Sequence, residues 1–117
     1  MTDIAKHEQK MNEMIEEGDI LEAFEAYTAE DVVFTDQIQG ESWEGKEACR
    51  DHEHEFLNFV EEVHNVELHD WAVNENDEVS FSEWTFHVTF KNGEEMNRRQ
   101  IERRQWRDGK VVDVRFF

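Results

Sequence analysis

The chain has 117 residues, and its 30 acidic side chains against 12 lysines and arginines give a formal net charge of −18. So strong a negative charge argues against binding to nucleic acids or to anionic membrane surfaces, because both attract basic patches. No apolar run reaches the roughly 18 residues of a membrane span, no secretory signal is visible, and one cysteine allows no internal disulfide, so a cytoplasmic protein is expected.

The length indicates a single domain over residues 1–117, large enough for a real core. Two interpretations of the charge stay open. Self-repulsion destabilises a compact protein at low salt, and halophilic proteins use this effect, so we favour a salt-adapted source. The alternative is a merely acidic, soluble surface.

Helical patterns occupy the N-terminal half. The first predicted helix covers Asp3–Glu17, with Thr2 as its cap and Gly18 at its C-terminal stop. Asp19 is predicted to cap a second helix, and Glu22, three residues later, completes a capping box. The buried side of this second helix consists of Leu21, Ala23, Phe24 and Tyr27.

A short extended segment, residues 31–36, separates the second helix from a third one that follows Gly45. The third helix is predicted from apolar and small residues at helical spacing, namely Ala48, Cys49, His52, Phe56, Phe59, Val60 and Val63. Cys49 lies on this stripe and is assigned to the core. A strand near Val66–Val73 then leads through a polar turn into the C-terminal part of the chain.

The C-terminal third predicts three strands, Val79–Phe90, Glu94–Trp106 and Lys110–Phe117. They are joined at Asn92-Gly93 and Asp108-Gly109, and such Asx-Gly pairs between alternating runs are a strong hairpin signal.

The length of these loops decides which side chains share a face. A three-residue loop with its glycine in the left-handed region would place Trp84 opposite Gln100, whereas a two-residue loop would place it opposite Ile101. We predict three-residue loops at both turns, because only that register separates apolar from polar side chains.

In this register the apolar face collects Trp84, Phe86, Val88, Phe90, Met96, Trp106, Val112, Val114 and Phe116. The opposite face collects Glu83, Thr85, His87, Thr89, Asn97, Arg99, Arg103, Asp113 and Arg115. Four polar residues fall on the apolar side, namely Arg98, Gln100, Glu102 and Arg104. The arginines can reach an edge along their stems, but Glu102 is too short to do so easily.

Helices followed by antiparallel strands predict an α+β domain. We expect a curved antiparallel sheet wrapped on the N-terminal helices, which together form a cone with an interior pocket.

Four sequence blocks in order resemble the SnoaL-like branch of the nuclear-transport-factor-two-like superfamily. They are GDILEAFEAYTAEDVVFTD, WEGKEACRDH, FSEWTFHVTFKNG and RRQWRDGKVVDVRFF. The resemblance spans nearly the whole chain, from about Ile4 to Phe117. It implies a cystatin-like cone fold shared by ketosteroid isomerases, polyketide cyclases, dehydratases and non-catalytic binding domains, so it does not by itself imply a reaction.

The resemblance implies two candidate catalytic residues. Asp36 occupies the position of the catalytic aspartate of ketosteroid isomerases, and Glu102, four residues before Trp106, occupies that of a second buried acid which donates a hydrogen bond to an oxyanion. Met11 stands in place of the family's tyrosine and Gln37 in place of a proline. These departures argue against steroid isomerisation itself.

The residues support the same pair independently, because Asp36 follows two inward-facing apolar residues and Glu102 lies on the apolar face. Two carboxyl groups in a dry pocket cannot both ionise cheaply, so one could act as a base and the other as a neutral donor. A structural alternative stays open: Arg98 or Arg104 pairs with Glu102, and Asp36 accepts backbone N–H groups of the following loop.

The predicted pocket lining comprises Met11, Phe34, Phe56, Trp84, Phe86, Gln100, Trp106, Val114 and Phe116. For the tryptophans, filling of the core is an equal alternative. No metal site is expected, because His52 and His54 do not share a helix face and neither His64 nor His69 has an acid at a matching spacing. No cofactor motif is present, so no cofactor is expected.

Charged residues beside exposed aromatics on the outer sheet face predict either cross-strand ion pairs or a homodimer interface. Three functions therefore remain. The chain could be an acid–base isomerase, cyclase or dehydratase acting on a small, partly apolar carbonyl compound, a ligand-binding module with the same pocket, or a dimeric association domain with a filled pocket.

Overall fold

The computed structural model describes residues 3–117, so the cap predicted at Thr2 lies outside the described residues. The helices are α1 (Asp3–Glu16), α2 (Ile20–Tyr27) and α3 (Lys46–Phe59). The strands are β1 (Thr28–Asp36), β2 (Glu41–Glu44), β3 (Val60–Asn74), β4 (Val79–Phe90), β5 (Glu95–Arg107) and β6 (Lys110–Phe116). The predicted α+β fold is confirmed.

One six-stranded sheet has the order β2-β1-β6-β5-β4-β3. β1 runs parallel to β6, and the other neighbours are antiparallel, so the sheet is mixed. The parallel pair brings the end of β1 beside the last residues of the chain, with Asp36 opposite Phe116. We call the face that carries Trp84, Gln100 and Glu102 the inner face, and the opposite one the outer face.

Gly18 ends α1 as predicted, but the predicted capping box is wrong. Gly18 has φ 91°, its N–H donates to Ile15 O at 3.0 Å, and the N–H of Asp19 donates to Met14 O at 2.8 Å. These two bonds form a Schellman motif. They fix the backbone of Asp19 at ψ 53°, outside the extended region usual for a capping residue, and its side chain makes no cap hydrogen bond.

The third helix is shorter than predicted, since α3 ends at Phe59 and both Val60 and Val63 belong to β3. Val60 pairs with Phe90 and Val63 with Val88. These two valines therefore belong to the ladder with β4, although their spacing also suits a helix. β-branched valines favour this outcome. The four-residue strand β2 was not predicted, because it is too short and polar to show a period.

The two hairpins use different loops. At the first turn Trp84 pairs with Gln100 as predicted, and Gly93 has φ 88°. At the second, Arg107 pairs with Lys110, so the loop has two residues rather than the predicted three. Asp108 and Gly109 both have positive φ, 52° and 77°, as a type I′ turn requires.

A bulge in the β5–β6 ladder compensates for the shorter loop. Trp106 pairs with Val111 and Gln105 with Asp113, so Val112 has no partner. The predicted inward position of Val112 is therefore wrong, and Val111 is the fully buried residue there. Beyond the bulge Arg104 pairs with Val114, so the rest of the strand faces as predicted.

The core lies between the helices and the inner face. It contains Met11, Ile15, Ala23, Phe24, Val32, Phe34, Cys49, Trp84, Trp106, Val111 and Val114. Cys49 is buried as predicted, and burial raises the pKa of its thiol to about 11. No helix among residues 3–117 is long and apolar enough to cross a membrane.

Candidate functional site

A cavity of about 380 Å³ opens between the three helices and the inner face of the sheet. Its lining is mainly apolar, with aromatic side chains from α2, α3, β1, β4 and β6. The titratable side chains in the lining are Asp36, His52, Glu53, Arg98, Glu102 and Arg104. A mostly apolar cavity with a few convergent charged groups is the usual form of a small-molecule site.

Most of the predicted lining residues border this cavity, together with Asp36 and Glu102. They are Met11, Phe34, Phe56, Phe86, Gln100, Val114 and Phe116. Trp84 and Trp106 do not border the cavity but fill the core behind it. Each indole N–H is satisfied at 2.8 Å by a buried serine hydroxyl, Trp84 by Ser82 and Trp106 by Ser80, which fixes both rings inside the protein.

Arg104 occupies the centre of a buried network in the wall of the cavity. Its NH2 group donates to Glu102 Oε1 at 3.0 Å, and its NH1 group donates to Glu8 Oε1 and Asn12 Oδ1, each at 2.8 Å. The side chain of Arg104 is 1% exposed. Burial alone would lower the pKa of Arg104, but the two carboxylates together raise it.

Glu8, on α1, completes the network. Its carboxylate also accepts hydrogen bonds from Ser80 Oγ and from the Asn12 amide. Glu102 Oε2 accepts from the Gln100 amide at 3.1 Å, so both oxygens of Glu102 are engaged by protein donors. One buried cation thus faces two buried carboxylates, and this is the arginine pairing that the structural alternative anticipated for Glu102.

Asp36 lies at the end of β1, where the chain turns into the following loop. Its Oδ1 accepts the backbone N–H groups of Ile38 at 2.9 Å and Gln39 at 3.1 Å, and its Oδ2 lies 3.8 Å from Arg98 NH1. The backbone contacts form an Asx turn, which the structural alternative also anticipated. Asp36 nevertheless reaches the cavity lining.

Glu53, on α3, is a further carboxyl group in the cavity, and it was absent from the sequence-based candidates. Burial raises its pKa from the usual 4.5 to about 7, and the charge of Glu102 adds to this rise. No side-chain hydrogen bond or ion pair holds the Glu53 carboxyl within the part of the chain that the structure describes. A carboxyl group that titrates near neutral pH can both take up and release a proton.

The SnoaL-like domain model matches residues 9–114. The chain belongs to this family. No curated protein matches the sequence. A crystal structure of a candidate SnoaL-like polyketide cyclase from Mesorhizobium loti is 28% identical, with a TM-score of 0.88 over 100% of this chain and 99% of that one.

Two more distant structures share the fold. A candidate polyketide cyclase from Pseudomonas putida is 20% identical, with a TM-score of 0.78 over 100% of this chain and 91% of that one. TerC, co-crystallised with polyporic acid, is 11% identical, with a TM-score of 0.77 over 99% of this chain and 91% of that one. The SnoaL-like fold is therefore shown, and it is compatible with more than one function.

A signal for Glu53 was present in the sequence of this SnoaL-like protein. Cys49, Glu53 and Phe56 stand at i, i+4 and i+7 of a helix whose Cys49 side faces the core. A glutamate on the apolar stripe of a helix is as informative as Glu102 on the apolar face of a strand. The surrounding DHEHE segment was judged only as a possible metal site, so the position of Glu53 on this stripe was missed.

His52 was predicted on the apolar stripe of the third helix and judged a poor metal ligand, and it borders the cavity. Its ring stacks on Trp43, with the ring centroids 3.7 Å apart. Burial lowers the pKa of His52, although nearby Glu41, Glu55 and Asp36 oppose that effect. A neutral His52 stacked on an indole forms part of the cavity wall.

Proposed function

We propose that this SnoaL-like protein binds a small, largely apolar carbonyl compound in the cavity and transfers a proton at the carbon next to the carbonyl group. Glu53 carries this proposal, because its carboxyl group borders the cavity, makes no hydrogen bond or ion pair with residues 3–117, and has a pKa raised to about 7. Such a proton transfer by a positioned carboxyl group is general acid–base catalysis, and it suits an isomerase, a cyclase or a dehydratase of a carbonyl compound.

The shape and lining of the cavity support an apolar ligand. Its volume of about 380 Å³ lies at the small end of the usual range for ligand pockets. Phe34, Phe56, Phe86 and Phe116 supply flat apolar surfaces. The volume of the cavity also argues against the alternative in which side chains fill the pocket.

Glu53 suits the proton-transfer role better than the two acids proposed from the sequence. Both oxygens of Glu102 already accept hydrogen bonds, and Asp36 Oδ1 accepts two. The fixed negative charge of Glu102 instead helps to hold the pKa of Glu53 near neutrality. Glu102 is thus proposed as a positioning and tuning residue.

In the proposed step an ionised Glu53 removes the α-proton, and the electron pair of that C–H bond moves to the carbonyl oxygen as an enolate forms. Arg98 lines the same cavity and is proposed to stabilise the enolate charge. The protonated Glu53 then returns the proton to the same carbon or to another one. The second outcome isomerises the compound.

Exchange of α-protons for deuterium tests the proposal directly. With 2-tetralone as probe in D₂O, proton NMR should show exchange that the protein accelerates, with a rate that rises with pH through about 7, since only the ionised Glu53 accepts a proton. E53Q should abolish the acceleration. E55Q changes an exposed acid on the same helix and should leave it intact. Equal rates in wild type and E53Q would overturn the assignment of Glu53.

Ligand binding without turnover is the second candidate function. The hydrogen bonds that protein donors make to both oxygens of Glu102 and to Asp36 Oδ1 favour it, because carboxylates held in this way can recognise a ligand without moving protons. Binding of 2-tetralone can be followed by quenching of the fluorescence of Trp43, which lines the cavity. Tight binding without deuterium exchange would select this function.

We further propose that the protein forms a homodimer through the outer face of the sheet. Phe81 and Ile101 are 40% and 43% exposed there, and they border a shallow depression together with Trp71. Exposed aromatic and aliphatic side chains rimmed by charges are typical of interfaces. Light scattering should give twice the mass of one chain, and I101E should give the mass of one. A wild-type monomer at millimolar concentration would contradict the proposal.

A further inference from the structure

Two imidazoles and a carboxylate from three adjacent strands converge on the outer face of the sheet. They are His64 on β3, His87 on β4 and Glu95 on β5, and one ligand atom of each lies within 4.8 Å of the other two. Among residues 3–117, this is the group of three such side chains close enough to hold one metal ion.

The sheet register explains how these residues meet. β3 pairs Val63 with Val88 and Asn65 with His87, so His64 is the extra residue of a β-bulge. A bulge re-aims a side chain that would otherwise alternate to the other face. Glu95 is paired with Thr89, the next outward-facing residue of β4 after His87. The partners of His64 therefore come from other strands, and no spacing within β3 could reveal them.

The distances suit a divalent transition metal ion. Glu95 Oε1 lies 3.6 Å from His87 Nε2 and 4.0 Å from His64 Nε2. Ligands at about 2.0–2.1 Å from a tetrahedral zinc ion are about 3.3–3.4 Å apart, so small side-chain rotations would bring these atoms to bonding positions. The side chains are accessible, with His64 and His87 each 31% exposed and Glu95 62% exposed.

We propose that His64, His87 and Glu95 form a binding site for a late first-row divalent metal ion of the Zn²⁺ type, with water in the fourth position. Two imidazole nitrogens and one carboxylate oxygen favour such ions over Mg²⁺ and Ca²⁺, which prefer oxygen ligands alone. The net charge of −18 further raises the concentration of cations near the surface.

Neighbouring groups support His64 as a ligand. The Glu62 carboxylate lies 3.9 Å from His64 Nδ1, on the side of the ring away from Glu95. A carboxylate in that position favours a proton on Nδ1 and leaves Nε2 free to bind a metal ion. In the present structure His64 Nε2 lies 2.7 Å from Thr89 Oγ1, a contact that a metal ion bound at Nε2 would replace.

His69 provides a matched comparison within the same strand. It is also the extra residue of a bulge, between Leu68 and Asp70, and its Nε2 lies 2.6 Å from Thr85 Oγ1. Among residues 3–117 no second imidazole lies beside its ring, and the outer-face acid of β4, Glu83, is bonded to Arg99 at 2.7 Å. His69 therefore shares the local structure of His64 without the converging ligands.

Calorimetric titration of the chelator-treated protein with Zn²⁺, and absorbance titration with Co²⁺, test the site. Wild type should bind one Zn²⁺ ion per chain and give a Co²⁺ spectrum with visible bands of a four-coordinate site. H64N, H87N and E95Q should each weaken Zn²⁺ binding by at least about tenfold, since even loss of an outer partner of a ligand has that effect. H69N should bind as wild type does.

Thermal melts without metal establish that each variant is folded, which is expected because all three residues lie on the outer face. Zn²⁺ should then raise the melting temperature of wild type and of H69N, but not that of H87N. Binding that survives in all three ligand variants, or that falls equally in H69N, would overturn the site, as would a wild type that binds no Zn²⁺ at millimolar concentration.

Discussion

Two glutamate–arginine pairs share the β4–β5 region but lie on opposite faces of the sheet. On the outer face, Arg99 Nε and Glu83 Oε2 are 2.7 Å apart, and the Arg99 side chain is 62% exposed. On the inner face, Arg104 NH2 and Glu102 Oε1 are 3.0 Å apart, and the Arg104 side chain is 1% exposed. The shorter contact belongs to the exposed pair, whose partners water can also solvate. Distance alone therefore does not show which pair contributes more to stability.

The inner pair also belongs to an incompletely satisfied network. Arg104 faces two carboxylates, Glu8 and Glu102, and its Nε is a buried atom with no hydrogen-bond partner among the described residues. A core built only for stability would not hold a surplus negative charge beside an unsatisfied donor. Burial is the main cause of the raised pKa of Glu53, and we interpret the charge of Glu102 in this network as adding to that rise.

The largest difference between the faces should appear on removal of the arginines. R104M strands Glu8 and Glu102 without their cation and should cost about 3–5 kcal/mol of unfolding free energy, because breaking a buried pair leaves uncompensated charge. R99M, on the exposed pair, should leave the urea midpoint unchanged within error. Equal midpoints for the two variants would mean that the inner network does not stabilise the fold.

Glu53 should make stability depend on pH in the direction opposite to most carboxylates. Its pKa is about 7 in the folded protein against 4.5 ordinarily, so the folded state holds a proton that the unfolded state has lost. Stability should therefore fall as pH rises from about 4.5 to about 7, by at most about 3 kcal/mol. E53Q should remove this fall and be more stable than wild type at pH 8.

E55Q is the control for this pH dependence, because Glu55 lies on the same helix but is exposed. Its urea midpoint should follow that of wild type from pH 4.5 to pH 8. If E53Q and wild type lose stability in parallel over this range, Glu53 is not the titrating group.

A smaller loss of unfolding free energy is expected for E102Q, which tests how much each carboxylate, Glu8 or Glu102, contributes to the pairing with Arg104. Arg104 keeps Glu8, and the new amide oxygen can still accept a hydrogen bond, so the loss should be about 1 kcal/mol. Loss of the negative charge should also lower the pKa of Glu53, shifting the pH profile of deuterium exchange to lower pH. A loss as large as that of R104M would show that Glu102 is the main partner of the arginine.

The fold was largely predictable, because its helices and hairpins depend on local patterns that can be recognised along the sequence. Asx-Gly turns and two-residue alternation placed Trp84 opposite Gln100 and put Glu102 on the inner face. The short second loop was missed, yet the bulge at Val112 restored the facing of β6. Bulges depend on packing across strands, which a pattern along one strand does not contain.

The candidate site was only partly predictable for a related reason. Glu102 and Asp36 were found from their positions on single strands, but the partner of Arg104 that matters as much, Glu8, is 96 residues away in sequence. Glu8 lies on α1, and only the packing of that helix on the sheet brings it to Arg104. Likewise, the contacts of His64 with His87 and Glu95 exist only across strands.

The smallest expected effect is a difference in salt dependence between the exposed charges and the buried network on the inner face. Exposed charges are screened over about 8–10 Å at physiological salt and about 3 Å at molar salt, whereas buried pairs are screened much less. The melting temperature of wild type, with its net charge of −18, should therefore rise between 0.1 M and 1 M sodium chloride, as the salt-adapted interpretation requires. The stability difference between wild type and R104M should stay constant over the same range, because the Arg104 side chain is buried. Potassium chloride should act like sodium chloride, since general screening rather than a specific ion is responsible.

A wild type with a salt-independent melting temperature would exclude salt adaptation. If the stability that R104M loses relative to wild type became smaller with salt, Arg104 would be in contact with solvent.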